Sequence, residues 1–208
     1  MVPRLILASA SPARLATLHS AGLSPEILVS GVDETTVTEP TVQELVSRLA
    51  RLKAETAAAR LDLDCRTTIV LGCDSLLELD GTAYGKPGSA AEAIRCWHRM
   101  RGRSGVLHTG HHVLLRHAGS GRSDSAVAST TVHFADLTDT EITAYVATGE
   151  PLQVAGAFTV DGLGGAFVTG IEGDHHNVVG ISLPLLRTML GRLGISWPSL
   201  WIGGPRPG

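Results

Sequence analysis

"RLILASASPARLATLHSAGL", residues 4–23, is the stretch whose reading decides the architecture. Leu5, Ile6, Leu7 and Ala8 form a short unbroken apolar run, the pattern of a strand covered on both faces inside an α/β sheet. The run stops at Ser9-Ala10-Ser11. Ser11 can cap a helix, Pro12 suits its first turn, Leu15 and Leu18 supply an inward face, and Gly22 supplies a stop. A strand that ends in serines and feeds a helix presents backbone N–H groups at the positive end of a helix dipole, and together these receive anions. Ser9 and Ser11 add hydroxyl groups there, and Arg14 adds a forked cation matched to phosphate oxygens. The plainer alternative is an ordinary helix cap beside a solvated arginine.

Outward from this unit, "PEILVSGVDE" (25–34) predicts a second strand running into an acidic loop. "TVQELVSRLARLKAETAAARL" (41–61) is the strongest helix, with Val42, Leu45, Val46, Leu49 and Leu52 at helical spacing behind a Thr41–Glu44 capping box. "TTIVLGCDSLLELDGTAYGKP" (67–87) predicts a strand and then a hairpin that turns at Asp80-Gly81. A helix is expected over 89–100. Long antiparallel partners are expected over 106–117 and 125–137, across a turn at Gly119-Ser120-Gly121. A capped helix follows over 138–151. Residues 156–180 read as strand, glycine-rich turn, strand and polar loop, and 182–194 as the last helix. This order predicts an α/β fold with one long twisted mixed β-sheet and helices, in two lobes around a cleft. It is read as a single domain over 1–200 with a flexible tail at 201–208.

The 208 residues carry 17 Lys+Arg against 20 Asp+Glu, a net charge of −3, so no global field draws the chain to nucleic acid or to an anionic membrane. Cys65, Cys73 and Cys96 are an odd set without Cys-x-x-Cys spacing, which suits a reducing compartment. The first apolar run is too short for a signal segment or a membrane span. A cytoplasmic protein without nucleic-acid or membrane partners is expected.

Asp74 follows "TIVLGC" at the carboxyl end of a strand, where open α/β sheets place their ligands. With an ordinary pKa near ~3.9 an aspartate is a poor base, so it needs a metal-bound water or a shifted pKa; a capping role before Ser75 is the equal alternative. Asp33 and Glu34 read first as a solvated loop, yet an acid there and Asp74 could converge on one Mg²⁺. Lys53, on the long helix, and Lys86 are the candidate cations for a triphosphate; a lysine on an amphipathic helix mostly faces solvent, so Lys53 alone means little, whereas Lys86, between Gly85 and Pro87, is the more suggestive. "DGLGG" (161–165) lacks the glycine order and lysine of a phosphate loop and reads as a hairpin turn preceded by Asp161. His108, His111 and His112 in "HTGHH", and the histidines of "DHHN" (174–177), read as surface residues rather than zinc ligands, since no His-Glu-x-x-His occurs and alternation turns His111 away from its neighbours. Cys73 reads as a small buried residue rather than a nucleophile.

In order, "LILASASPARLATLHSAGL", "VDE", "RLARLKAE", "VLGCDSLLELDG", "YGKP", "YVATGEPLQVAGAF", "DGLGG" and "NVVGISLPLL" resemble the Maf-like nucleoside triphosphate pyrophosphatases over nearly the whole chain. The resemblance implies an inosine-triphosphatase-like fold, a homodimer, and hydrolysis of a nucleoside triphosphate between its α and β phosphates to the monophosphate and pyrophosphate, removing non-standard or excess nucleotides. By matching motifs it implies that Asp74 is the catalytic proton acceptor. It further implies that Ser9, Ser11, Arg14, Lys53 and Lys86 bind the substrate and that Glu34 and Asp74 hold a divalent cation, Mg²⁺ or Mn²⁺.

Three departures fall at positions the family associates with base choice. Ala13 stands where the first loop usually has an arginine. Ser75 and Asp161 stand where the dTTP/UTP subgroup has threonine and glutamine. A carboxylate at 161 could accept from a guanine edge and would repel the carbonyls of uracil. A fourth departure is expected at Gly105, in place of a histidine of the family's Ser-Gly-x-x-His segment, with Arg101 and Arg103 adding charge. Two other classes compete: a nucleotide-binding regulator of cell division with little turnover, and a histidine-rich zinc hydrolase.

Overall fold

The computed structural model describes residues 3–61, 67–117 and 120–201. Cys65, Gly119 and the tail at 202–208 lie outside the described residues. Among the described residues seven strands pair in the order β2-β1-β3-β5-β6-β7, with β4 on β3. They are β1 (Arg4–Leu7), β2 (Glu26–Ile27), β3 (Thr68–Leu79), β4 (Thr82–Tyr84), β5 (Ser104–His117), β6 (Ser120–Phe134) and β7 (Val168–Glu172). Among the described residues six helices accompany them: α1 (Pro12–Ser20), α2 (Val42–Ala59), α3 (Ala90–Met100), α4 (Asp139–Ala147), α5 (His175–Val179) and α6 (Leu183–Arg192). The chain divides into two compact units. One comprises Met1–Asp74, Thr109–Ala128 and Gly180–Gly208, the other Ser75–His108 and Ser129–Val179.

In the first unit β1 pairs in parallel with both β2 and β3, in register Ile6↔Glu26 and Ile6↔Val70. A parallel strand flanked on both edges must be covered on both faces, and alternation assigns its residues. Leu5 and Leu7 enter a core with Leu18, Leu23, Leu71 and the α6 residues Leu186, Met189 and Leu190. Ile6 and Ala8 face Ala54, Ala57 and Ala58 of α2. Ser11 caps α1 with Pro12 in its first turn, and Gly22, at φ +82°, takes the left-handed conformation that ends it. The second strand is much shorter than expected. β2 is an edge of two residues, Glu26 and Ile27 opposite Ile6 and Leu7, followed by one more bond from Leu28 N to Leu7 O; the chain then runs to a 3-10 turn at Glu34–Thr36.

In the second unit, Asp80 and Gly81 both take positive φ (51° and 72°), the conformation of the two-residue turn that the Asp-Gly pair predicts, with Leu79 opposite Thr82. Trp97 of α3 centres the core, edge-on to Phe134, Tyr145 and Phe167, with its indole N–H donating to Ala157 O at 2.8 Å. All three of the chain's phenylalanines lie in this core. Two expectations fail here. Residues 156–165 form no hairpin: Ala155–Ala157 and Leu163–Phe167 are 3-10 segments, and the only strand of the region is β7. "DHHN" opens α5 rather than forming a loop. The helix expected within 138–151 is capped by Thr138 and ends at Ala147 ahead of the expected Gly149 and Pro151 stop, and a 3-10 turn follows at Glu150–Gln153.

Candidate active site

The first unit gathers four buried polar side chains: Ser9 just past β1, Arg14 on α1, Lys53 on α2 and Asp74, which lies within β3 rather than at the strand's end as expected, since β3 runs on to Leu79. Ser9 Oγ accepts from Ser11 N at 3.2 Å and from Arg14 Nη1 at 3.0 Å. Arg14 Nε donates to Gly180 O at 2.7 Å, which fixes the guanidinium plane. Ser11 Oγ caps α1 by accepting from Arg14 N at 3.4 Å, and Ala13 lies half-buried on the same first turn. The stretch is therefore both a cap and a buried cation site, which the cap alone would not require.

Lys53 is buried, against the usual solvent-facing position of a lysine on an amphipathic helix. It lies on the inward stripe of α2 with Val46, Leu49, Ala50, Ala54 and Ala57, and its ammonium sits 2.5 Å from Asp74 Oδ1 and 2.7 Å from Glu34 Oε1. What brings it there is a close approach of helix to sheet. A Cβ on Gly72 of β3 would run into Ala50 O and lie 2.8 Å from Ala54 N. One on Gly110 of β5 would meet Val46 O and lie 2.7 Å from Ser47 N. Only glycine at these strand positions lets the α2 backbone reach the sheet, and that delivers the ammonium to Asp74. The alanines of α2 and the two glycines were the signal the periodicity argument missed.

Burial pushes the Asp74 carboxyl up; the Lys53 and Arg14 charges and the Lys53 hydrogen bond act against this, while Glu34 adds to it, and the net displacement is upward. A carboxylate lifted this way is a better proton acceptor than an exposed one. Glu34, half-exposed, and Asp74 share one ammonium, so two carboxylates lie within reach of a single cation. Among the described residues no group of three or more His, Cys, Asp or Glu is arranged around a metal position. Two carboxylates nevertheless suit Mg²⁺, which takes one or two protein carboxylates and completes its shell with water and phosphate. Cys73 is fully buried beside Asp74, and burial pushes its thiol up to about 11, which fits the inert role expected.

The other site candidates belong to the second unit. Ser75 follows Asp74 in β3. Lys86 is exposed and lines a cleft of about 370 Å³ with Tyr84, Glu92, Arg95 and Arg99. Asp161 is exposed just ahead of the Leu163–Phe167 segment.

Several expectations are corrected. His108, His111 and His112 are buried, not surface residues, because β5 lies inside the sheet between β3 and β6. His111 Nε2 accepts from Ser182 N at 2.9 Å, so the tautomer that satisfies both its bonds donates from Nδ1 to Thr109 O. His108 joins Glu78 and Ser129, and His112 joins Ser125. The missing histidine is not missing, since Ser104-Gly105-Val106-Leu107-His108 itself reads Ser-Gly-x-x-His. Arg101 and Arg103 are engaged by Asp139 at 2.6 Å and Asp80 at 2.7 Å and add no unbalanced charge.

The sequence model described as "Maf-like protein" matches residues 4–193. A protein of Salinispora tropica named "Nucleoside triphosphate pyrophosphatase" is 57% identical over 99% of this chain and 92% of its own length. Proteins of the same name from Streptomyces coelicolor (57%, covering 95% and 94%) and Cutibacterium acnes (51%, covering 100% and 99%) are similar over equally complete spans. The solved Staphylococcus aureus Ham1 protein aligns with 96% of this chain and 94% of that one at 15% identity and a TM-score of 0.39, too loosely to argue from. On the family match and the full-length relatives, the chain belongs to the Maf-like protein family.

Proposed function

We propose that this protein is a nucleoside triphosphate pyrophosphatase that cleaves its substrate between the α and β phosphates. The observation that carries the chemistry is the buried Lys53–Asp74 pair beside Arg14 and Ser9. The full-length relatives that bear this name support the reaction class.

Hydrolysis at the α-phosphorus needs a positioned water, an acceptor for its proton and positive charge against the departing pyrophosphate. Lys53 holds Asp74 by Oδ1, so Oδ2 is the oxygen assigned to the water. Burial has already moved this carboxyl toward proton uptake. Ser9 Oγ accepts two hydrogen bonds, from Ser11 N and Arg14, which leaves its own proton to donate to a phosphate oxygen. Arg14 and the N-terminus of α1 add fixed positive potential on the same wall. The proposal assigns Lys86 to the leaving pyrophosphate and Ala13, Ser75 and Asp161 to the choice of base.

Glu34 and Asp74 would hold Mg²⁺ or Mn²⁺, which when bound neutralises phosphate charge and lowers the pKa of a water. The proposal extends to a cytoplasmic homodimer that removes unwanted nucleotides. Among the described residues no helix is long and apolar enough to cross a membrane.

The test is incubation with a panel of normal and modified nucleoside triphosphates, with and without Mg²⁺ or Mn²⁺, separating pyrophosphate from orthophosphate. Pyrophosphate with an equal amount of monophosphate is expected. Orthophosphate alone would reject cleavage between α and β, and binding without any product would favour the regulator.

A further inference from the structure

The loop that carries Asp161 is held by Glu150, a residue to which the reaction itself gives no part. Gly149, at φ +79°, ends α4 and turns Glu150 back under residues 159–164. Glu150 Oε1 accepts from Tyr145 Oη at 3.0 Å, Thr159 Oγ1 at 2.5 Å and Gly164 N at 3.0 Å, and Oε2 accepts from Leu163 N at 3.0 Å. Thr159 precedes Asp161 and Leu163 and Gly164 follow it, so one carboxylate ties both arms of the loop and leaves Asp161 at its exposed tip.

The glycines of "DGLGG" are shaped to this carboxylate. A Cβ on Gly162 would lie 2.7 Å from Glu150 Oε2, and one on Gly164 would collide with the Tyr145 hydroxyl and lie 2.9 Å from Thr159 N. The motif is thus neither a phosphate loop nor a hairpin. It is a clasp around a glutamate. Burial works against the Glu150 charge, but the Thr159 hydroxyl, the two loop amides and the Tyr145 hydroxyl outweigh it and hold the carboxyl below its ordinary range. Tyr145, pushed up to about 12 by burial, stays a donor throughout.

We propose that Glu150 is the positioning residue for base selection: its carboxylate sets the shape of the 159–164 loop and so the placement of Asp161 against the nucleobase. This rests on the nucleotide pyrophosphatase reading.

The test measures kcat and KM for a panel of purine and pyrimidine triphosphates with the wild type, Glu150→Gln and Asp161→Asn. Glutamine keeps one acceptor oxygen but sets an NH₂ group against a loop donor, and a lost hydrogen bond to a charged group corresponds to about tenfold or more. Glu150→Gln is expected to compress the ratio between best and worst nucleotide about tenfold through KM, with kcat on the best substrate within about threefold, and Asp161→Asn to compress the same ratio. A merely structural role would lower kcat for all nucleotides alike and leave KM and the ranking unchanged, and that result would overturn the proposal. If Glu150→Gln does not fold, Gly162→Ala, which presses a methyl group onto Glu150 Oε2 from the exposed side, must compress the ranking, and a wild-type ranking there overturns it. Absence of pyrophosphate from every triphosphate with the wild type defeats the parent reading instead.

Discussion

Replacing Lys53 by methionine isolates the pair on which the site is built. The side chains of Lys53 and Asp74 are 11% and 9% exposed and bonded at 2.5 Å, so removing the ammonium leaves a desolvated carboxylate with its closest cation gone. Breaking a buried ion pair from one side costs about 3–5 kcal/mol. Glu34, half in water, loses little, since an exposed pair is worth at most about 1 kcal/mol. For a chain of this length the loss corresponds to a fall in Tm of roughly 6–20 °C.

The pH dependence has a definite sign. The folded-state pKa of Asp74 lies above its unfolded value of 3.8, so between the two the native state holds a proton that the unfolded state lacks, and stability rises as pH falls through that window. Lys53 restrains the upward shift, so Lys53→Met widens the window toward neutral pH. Urea unfolding from pH 8 to pH 5 is expected to show the largest deficit at the alkaline end and a narrowing gap on acidification. The Lys53→Met/Asp74→Asn double variant should be more stable than Lys53→Met alone. A deficit under about 1 kcal/mol at pH 7, or one constant across the range, would refute the reasoning.

Gly72→Ala forces a methyl group against the α2 backbone and should cost about 1–3 kcal/mol by overpacking; because α2 must retreat with Lys53, activity should fall further than the melting temperature suggests, and a variant with both unchanged contradicts the close-approach argument. Asp74→Asn should lose pyrophosphate release while the fold survives; near-normal turnover in the folded variant would exclude Asp74 as the acceptor. Cys73 and Cys96, both buried with thiols pushed up to about 11, should hold roughly 0.1% thiolate at pH 8 and resist a thiol reagent until the protein is unfolded. Peptide mapping that finds either labelled at once in the native protein would contradict this.

The sequence carried the first unit's frame because local rules there agree with the fold. The β1 run, the Ser11 cap, the Gly22 stop and the Thr41–Glu44 capping box each specify their element without distant help. The burial of Lys53 was not legible because its inward stripe is built of alanines, which carry little hydrophobic signal, and because it depends on Gly72 and Gly110 in strands far along the chain. The β5 histidines were misread for a related reason: residue type argues for the surface, but a strand inside the sheet buries whatever it carries when hydrogen-bond partners are supplied. Residues 156–165 failed as a hairpin because two of their backbone amides, Leu163 and Gly164, are satisfied by Glu150, a contact no periodicity encodes. The Asp80-Gly81 turn was legible to the residue, being purely local chemistry.

The central claim is that water attacks the α-phosphorus at a site built on Asp74 and Lys53. Hydrolysis of a turned-over nucleoside triphosphate in ¹⁸O-enriched water, with both products read by mass spectrometry, tests it most directly. The account predicts one labelled oxygen in the nucleoside monophosphate and none in pyrophosphate. Label in the pyrophosphate instead would place the attack on the β-phosphorus and contradict it.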